Sequence, residues 1–286
     1  MNAILKGAKS ATLALALATA AAAVSAAPVG QPINIQEGAI LGALPSALTV
    51  DQLSGQYDEV ISFTSPNNFY TEAIFNAGGW FLSGSPISSQ VNGSQAGGLS
   101  NGYGLYAKFI GSGTFTGSVA TGFTFNGASG AIEIYADPNQ NTNYDVFTTT
   151  AGGGTSASLS HLNLVSGAAS VLDDVLLGHA SLVSMAQGNG TAGGLANGNF
   201  ELVFSNFVLD APFGTAYFTT RPFPVVLDLN GNFQSITPSA GQSAVILNNS
   251  ANAFFVNAVP EPGALPMVAL ALLGLGAVTR RRNRKS

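Results

Sequence analysis

The residues best placed to do chemistry form one short run, Asp137-Pro138-Asn139-Gln140-Asn141-Thr142-Asn143-Tyr144-Asp145. Oxygen-bearing side chains fall at every second position: Asp137, Asn139, Asn141, Asn143 and Asp145. Calcium takes about six to eight hard oxygen ligands, and short loops with alternating Asp and Asn supply them. The run departs from an EF-hand loop. Thr142 stands where that loop has its turn-making Gly, and Thr148 where it has a bidentate Glu. The competing reading is a polar hairpin loop, in which Asp and Asn close Asx-turns and Pro138 fixes φ. A second segment, Asp228-Leu229-Asn230-Gly231-Asn232, opens like a calcium loop, but no further ligands follow and a hairpin turn fits it better.

Other combinations carry less. His161 lies within an apolar run on the polar face of an expected strand, and His179 follows Gly178 in an expected loop. Neither belongs to a catalytic motif, and no G-x-S-x-G elbow is present. The carboxylate pairs Asp58-Glu59 and Asp173-Asp174 are sequence neighbours, which on a strand point to opposite faces. The residues therefore predict no enzyme. Trp80 and the tyrosines Tyr70, Tyr103, Tyr106, Tyr135, Tyr144 and Tyr217 offer rings that stack on sugars, with packing inside a β-protein as the plainer use.

The elements that must position these groups are strands. Short apolar runs recur at Val60–Thr64, Phe69–Phe75, Tyr103–Ile110, Ala131–Tyr135, Leu159–Val165, Phe200–Leu209, Ala216–Thr219, Val225–Leu229 and Ala244–Leu247. Gly, Asn, Ser and Pro separate them, and the spacing predicts an all-β sandwich or barrel. Asn126-Gly127 and Asn230-Gly231 predict tight hairpin turns. Gly111-Ser112-Gly113 predicts a bend, and Gly188–Asn199 and residues 83–102 predict loops. Ser166–Leu177 is the one place that suggests a helical turn. The expected architecture is a single β-sandwich or jelly-roll-like domain.

Composition removes whole classes of function. There is no cysteine among 286 residues, so disulfide scaffolds, thiol catalysis and Cys-ligated metals are excluded. Residues 28–258 hold thirteen acidic side chains against two basic ones, Lys108 and Arg221. A body that acidic does not neutralise phosphates, so nucleic acid is excluded as a partner.

The remaining basic residues sit at the ends. Lys6 and Lys9 precede the apolar run Ala11–Val24, and small residues follow at Val24-Ser25-Ala26. This is the pattern of a secretory signal peptide, residues 1–26, cut between Ala26 and Ala27 by signal peptidase. The mature body is then residues 27–258. Residues 259–286 have three parts in order: Pro260-Glu261-Pro262, the uncharged Gly263–Thr279, and the cluster Arg280, Arg281, Arg282, Arg284 and Lys285. As a helix, the middle part spans roughly 26 Å, the short end of a bilayer crossing. The basic cluster, residues 280–286, would stay cytoplasmic.

That order resembles the PEP-CTERM sorting signal: a Pro-Glu-Pro motif, an apolar helix and a terminal Arg-rich cluster. The resemblance implies removal of the tail by an exosortase in the inner membrane of a Gram-negative, exopolysaccharide-making host. Three body segments, Glu37–Phe63, Gly102–Asp145 and Leu227–Gln242, resemble the flocculation-associated PEP-CTERM proteins. That family is implied to be extracellular and needed for cells to aggregate in an exopolysaccharide matrix, and it supplies no catalytic residues. The expectation is a secreted protein, briefly membrane-anchored, that binds extracellular polysaccharide at the cell surface without catalysis. The alternatives are a secreted polysaccharide-modifying enzyme and a passive surface-coat protein. No cofactor is expected apart from the candidate calcium.

Overall fold

The computed structural model describes residues 30–91, 102–118, 122–148, 160–165, 173–192, 195–221, 226–233 and 240–256. All lie in one compact unit, Val29–Asn257. The strands are β1 (Ile33–Gln36), β2 (Ala47–Val50), β3 (Gln52–Ser65), β4 (Asn68–Leu82), β5 (Ser85–Pro86), β6 (Gly104–Ser118), β7 (Gly122–Asp137), β8 (Asn143–Thr148), β9 (Ser160–Val165), β10 (Val175–Ala192), β11 (Leu195–Leu209), β12 (Val226–Phe233) and β13 (Ser243–Val256). One short helix, α1 (Phe213–Tyr217), and a 3-10 turn at Glu37–Ala39 complete the described elements.

Nine strands form a single antiparallel sheet in the order β3-β13-β12-β11-β10-β7-β6-β4-β5, and β3 also pairs with β4, so that eight of them make a ring. The sheet is therefore curled until its two ends meet. The all-β expectation holds. The two-sheet sandwich or jelly roll is corrected to one closed sheet, in which every strand of the ring has a neighbouring strand on both sides.

Inward positions are mostly apolar, with Glu59 and Thr71 a buried polar pair, and outward positions are mostly polar, with Ile110, Val208, Val245 and Leu247 the apolar exceptions among the described strand residues. On β7, Phe123, Phe125, Ile132, Ile134 and Ala136 are buried, while Thr124, Asn126, Ser129 and Glu133 are exposed. A lipid-spanning barrel has the reverse pattern, an apolar outer band around a polar interior. Among the described residues no helix is long and apolar enough to cross a membrane; Gly263–Thr279 lies outside them.

The inward phase jumps from odd to even numbers along β7, and a bulge causes the jump. Ser112 pairs with Ser129 and Gly113 with Gly127, so Ala128 is an extra residue on β7. Gly113 faces the bulge so closely that a Cβ there would lie 2.0 Å from the Asn126 carbonyl oxygen. The same device acts on β4. Ser54 pairs with Gly79 and Gly55 with Ala77, so Gly78 is the inserted residue. It turns Trp80 inward after Phe69, Thr71, Phe75 and Ala77.

These pairings correct several sequence expectations. Asn126-Gly127 and Asn230-Gly231 lie inside β7 and β12 instead of at hairpin tips: Asn126, Asn230 and Gly231 pair on both sides, and Gly127 pairs with Gly113 of β6. Gly111–Gly113 lies within β6, and the Gly188–Asn199 loop shrinks to the junction of β10 and β11. Ala216 and Tyr217 are helical, and Val175–Leu177 is strand, with residues 166–172 outside the description. In a closed sheet both neighbours supply ladder bonds, and that pairing overrides local turn preference.

The two ends of the ring are filled differently. At one end Phe63, Phe69, Phe115, Phe123 and Phe125 pack together, with Phe125 touching Phe63, Phe69 and Phe115 at centroid separations of 6.3, 5.4 and 5.7 Å. At the other end the β1–β2 hairpin and α1 form a cap, with Ile35 bridged to Phe218 and Ile33, Ile35, Val50 and Tyr217 fully buried. Gln31 donates its backbone N–H to the Phe255 carbonyl at 2.6 Å, so the first and last described stretches leave together at this capped end. Outside the ring, β9 lies against β3, β4 and β13. This accounts for β3 being buried on both faces from Tyr57 to Phe63.

Candidate functional site

Most of the sequence candidates converge where β7 ends and β10 begins. Asp137, the last residue of β7, is 3% exposed. Its Oδ1 accepts the Asn139 backbone N–H at 3.2 Å and its Oδ2 accepts that of Thr142 at 2.8 Å. Gln140 takes a positive φ of 51° in the same turn. This is an Asx-type turn, and it holds both oxygens of Asp137. Asn139 Nδ2 donates to Asp173 Oδ2 at 2.5 Å. Asn141 is exposed in the turn. Asn143 and Asp145 lie in β8, opposite Val165 and Asn163, and for them and Tyr144 only the backbone is described. The alternating oxygens are thus divided among a strand end, a turn and a second strand. Among the described residues no group of three His, Cys, Asp or Glu side chains is placed to hold a metal ion.

A second layer ties this turn to the wall. Asp174 accepts Thr142 Oγ1 at 2.8 and 2.9 Å and Tyr106 OH at 2.6 Å. Burial pushes the Asp174 carboxyl above the ordinary carboxylate value, against the opposing pull of the Tyr106 and Thr142 hydrogen bonds. Asp173 Oδ1 is buried without a partner. Tyr106 stacks on its cross-strand neighbour Tyr135 at 5.2 Å, and Lys108 Nζ stands 4.5 Å from the Tyr135 ring centroid. Tyr135 OH donates to Glu133 Oε2 at 2.7 Å. Burial raises both phenols well above their usual value, and the Asp174 and Glu133 hydrogen bonds add to it.

Across the outer face, Lys108, Glu133 and His179 form one register row on β6, β7 and β10. His179 is a strand residue, which corrects the loop expectation. Its Nδ1 lies 2.8 Å from Asp210 Oδ2. A carboxylate on Nδ1 is the arrangement that orients an imidazole as a base. Among the described residues no hydroxyl nucleophile hydrogen-bonds to that ring. Of the other pairs, Asp58 accepts the Asn248 backbone N–H at 2.6 Å, and Glu59 accepts Thr71 Oγ1 at 2.6 Å inside the ring. His161 falls in β9, where only the backbone is described. Asp228 and Asn230 likewise fall in β12 and not in a loop.

The ring platforms are mostly spent on packing. Trp80, Tyr103 and Tyr217 are at most 1% exposed, and Tyr106 is 5% exposed, so none offers a face to a sugar. Tyr70 and Tyr135 are half-buried. The buried rings instead join a polar network that sequence reasoning missed. Tyr217 OH receives the Trp80 indole N–H at 3.3 Å and sits 2.5 Å from Tyr103 OH. Tyr103 OH donates to Glu37 Oε1 at 3.3 Å. Glu37, 1% exposed, also accepts the Gln90 backbone N–H at 2.7 Å and Gln90 Nε2 at 3.1 Å. Gln90 in turn brackets Leu44, accepting its N–H at 2.6 Å and donating to its carbonyl at 2.8 Å. The only sequence signal was Glu37 itself, a lone acid among apolar neighbours, and its partners lie far along the chain.

The sorting residues Pro260, Glu261 and Pro262, the apolar stretch 263–279, the cluster Arg280, Arg281, Arg282, Arg284 and Lys285, and the cleavage pair Ala26 and Ala27 lie outside the described residues. No family model, no curated protein and no solved structure matches the chain.

Proposed function

We propose that this chain is an exported matrix protein that holds cells and exopolysaccharide together without catalysis. The observation that carries the reading is the order at its C-terminus: Pro260-Glu261-Pro262, an uncharged stretch 263–279, and Arg280 to Lys285. A signal peptidase removes residues 1–26, the apolar stretch holds the chain in the inner membrane, and an exosortase releases the body to the surface of a Gram-negative cell. The body suits that life. It has no cysteine to oxidise, and its ring of strands is sealed by its own ladder. Its outward positions are rich in Thr, Ser and Asn, which hydrogen-bond weakly to sugar hydroxyls. Many copies turn weak contacts into retention.

The test is deletion of the gene in the native host, with complementation by the full chain and by a chain ending at Ala258. The expected result is lost aggregation with polysaccharide still made but shed, restored by the full chain alone. Unchanged aggregation in the deletion strain overturns the reading. The His179–Asp210 pair favours one rival, a polysaccharide-modifying hydrolase. Appearance of new reducing ends when purified protein meets the polysaccharide would establish it.

A further inference from the structure

The capped end of the ring carries a groove apart from the acidic mesh, sharing only Trp80 with the buried tyrosine network. Its volume is about 610 Å³, within the ~300–1,000 Å³ typical of ligand sites. Ser54, Gly55 and Gln56 of β3 and Gly78 to Phe81 of β4 make the floor. Pro86 to Ser89 and Val91 make the wall.

Of the two floor glycines, Gly78 makes the β4 bulge and Gly79 is not required by the fold. Gly79 has no positive φ, and a Cβ built on it meets nothing within 4 Å. At Gly78 an added Cβ would make only ordinary contact, 3.4 Å from the Ser54 carbonyl oxygen. Elsewhere glycine is forced: at Gly55 the same Cβ would lie 2.0 Å from the Asn76 carbonyl oxygen. Glycine weakens a strand interior, and its uses there are a bulge, a tight bend or the close approach of another molecule; Gly78 makes the bulge, and for Gly79 close approach is the use left. Gly79 alternates with inward-facing Trp80, which puts it on the outer face, bare to the groove.

The lining defines the guest. Every lining residue is uncharged, on a body with eleven more acidic than basic residues. Ser54, Gln56, Ser88 and Ser89 bring hydroxyls and an amide, while Phe81, Pro86 and Ile87 bring apolar faces. A peptide strand finds no long ladder there. β4 is paired with β3 on one side, and on the other Phe81 pairs with Pro86 and the Trp80 carbonyl accepts the Ile87 N–H at 2.8 Å. Recognition must run through side-chain hydroxyls, an amide and flat apolar surfaces, the combination that suits a neutral polyhydroxyl chain. We infer that this groove is the polysaccharide-binding site, and that it takes an uncharged glycan segment lying flat on the Gly78-Gly79 backbone. The inference rests on the matrix-protein reading above and gives it a location.

The test fills the groove from its floor. Gly79→Trp projects a ring into the open space without a backbone clash. Wild-type and variant are sedimented with the exopolysaccharide of the same cells, split by anion exchange into neutral and acidic fractions. Thermal unfolding is run alongside. The expected result is wild-type binding to the neutral fraction, weakened about tenfold or more by Gly79→Trp at unchanged melting temperature. If the variant melts early, Gln56→Ala, an exposed position outside the core, carries the same expectation more mildly. Equal binding by folded variants overturns the groove and leaves the matrix reading standing. Wild-type binding to the acidic fraction alone also overturns the groove while keeping adhesion. Binding to neither fraction overturns both.

Discussion

The two ends of the ring solve one problem by opposite means. At the phenylalanine end, the strands turn within short spans, β3 into β4 across residues 66–67 and β6 into β7 across 119–121. The gap is plugged with aromatic rings that have no polar atom to satisfy. At the capped end, the connections are long: 83–103, 138–174 and 210–225. Described residues of the first and last of these, Gln90, Tyr103 and Tyr217, bring buried polar atoms to the opening, which they satisfy together with Glu37 and Trp80. The contrast separates two kinds of closure. Ring packing is strong, local and indifferent to pH. A buried polar network fixes one arrangement of distant segments, and each member depends on the others.

The comparison breaks most visibly at Phe125, fully buried among three other rings. Phe125→Ala should cost about 3–5 kcal/mol from lost burial plus the cavity left behind. At about 2–4 °C per kcal/mol for a chain of this size, a melting curve reads it directly. A loss below about 1 kcal/mol would mean that this end is loosely packed.

Alkaline pH should act on the other end. Burial raises the Tyr103 and Tyr217 phenols above their ordinary value of 10.0. A folded-state phenol that keeps its proton more tightly than the unfolded chain stabilises the fold at low pH. That contribution is lost as pH rises past the unfolded value. Hydrogen exchange should therefore quicken in β1 and residues 87–91 above pH 10, before it does in β6 and β7 near Phe115 and Phe125. Simultaneous loss at both ends would show that the ring opens as one unit. Tyr70, held by burial and by Glu72, is pushed up to about 12 and should titrate apart from the capped-end pair.

Tyr217→Phe is the smallest cut. It leaves the Trp80 indole N–H without its acceptor, while Tyr103 keeps Glu37. The expected loss is about 1–3 kcal/mol by urea unfolding, below that of Phe125→Ala. A loss equal to Phe125→Ala would place the main closure of the molecule at the polar end.

The all-β class was legible in the sequence because the apolar runs at Val60–Thr64, Phe69–Phe75 and Phe200–Leu209 are strand interiors. Strand lengths were not, and the reason is physical. Bulges at Ala128 on β7, at Gly78 on β4 and near Asn206 on β11 each insert a residue and flip the inward phase, so no long run shows clean alternation. Asn126-Gly127 and Asn230-Gly231 carried strong turn chemistry, yet ladder pairing holds them within strands. Closure is a global property, and no window of sequence contains it. The site was legible in part. Asp137, Asn139, Asp173 and Asp174 do meet, but as a brace for a turn. Trp80 and Tyr217, read as possible platforms, were instead drawn into the cap by Glu37 and Gln90.

The double pairing of β13 has a mechanical consequence. This strand leads out of the described fold at Val256, and it is laddered to β12 on one flank and β3 on the other. Tension on the chain beyond Val256, drawn along the strand, loads both ladders in shear, with many hydrogen bonds bearing force together. A strand at an open sheet edge would unzip one bond at a time. For the matrix role proposed above, being pulled by the strand with two flanks is an advantage.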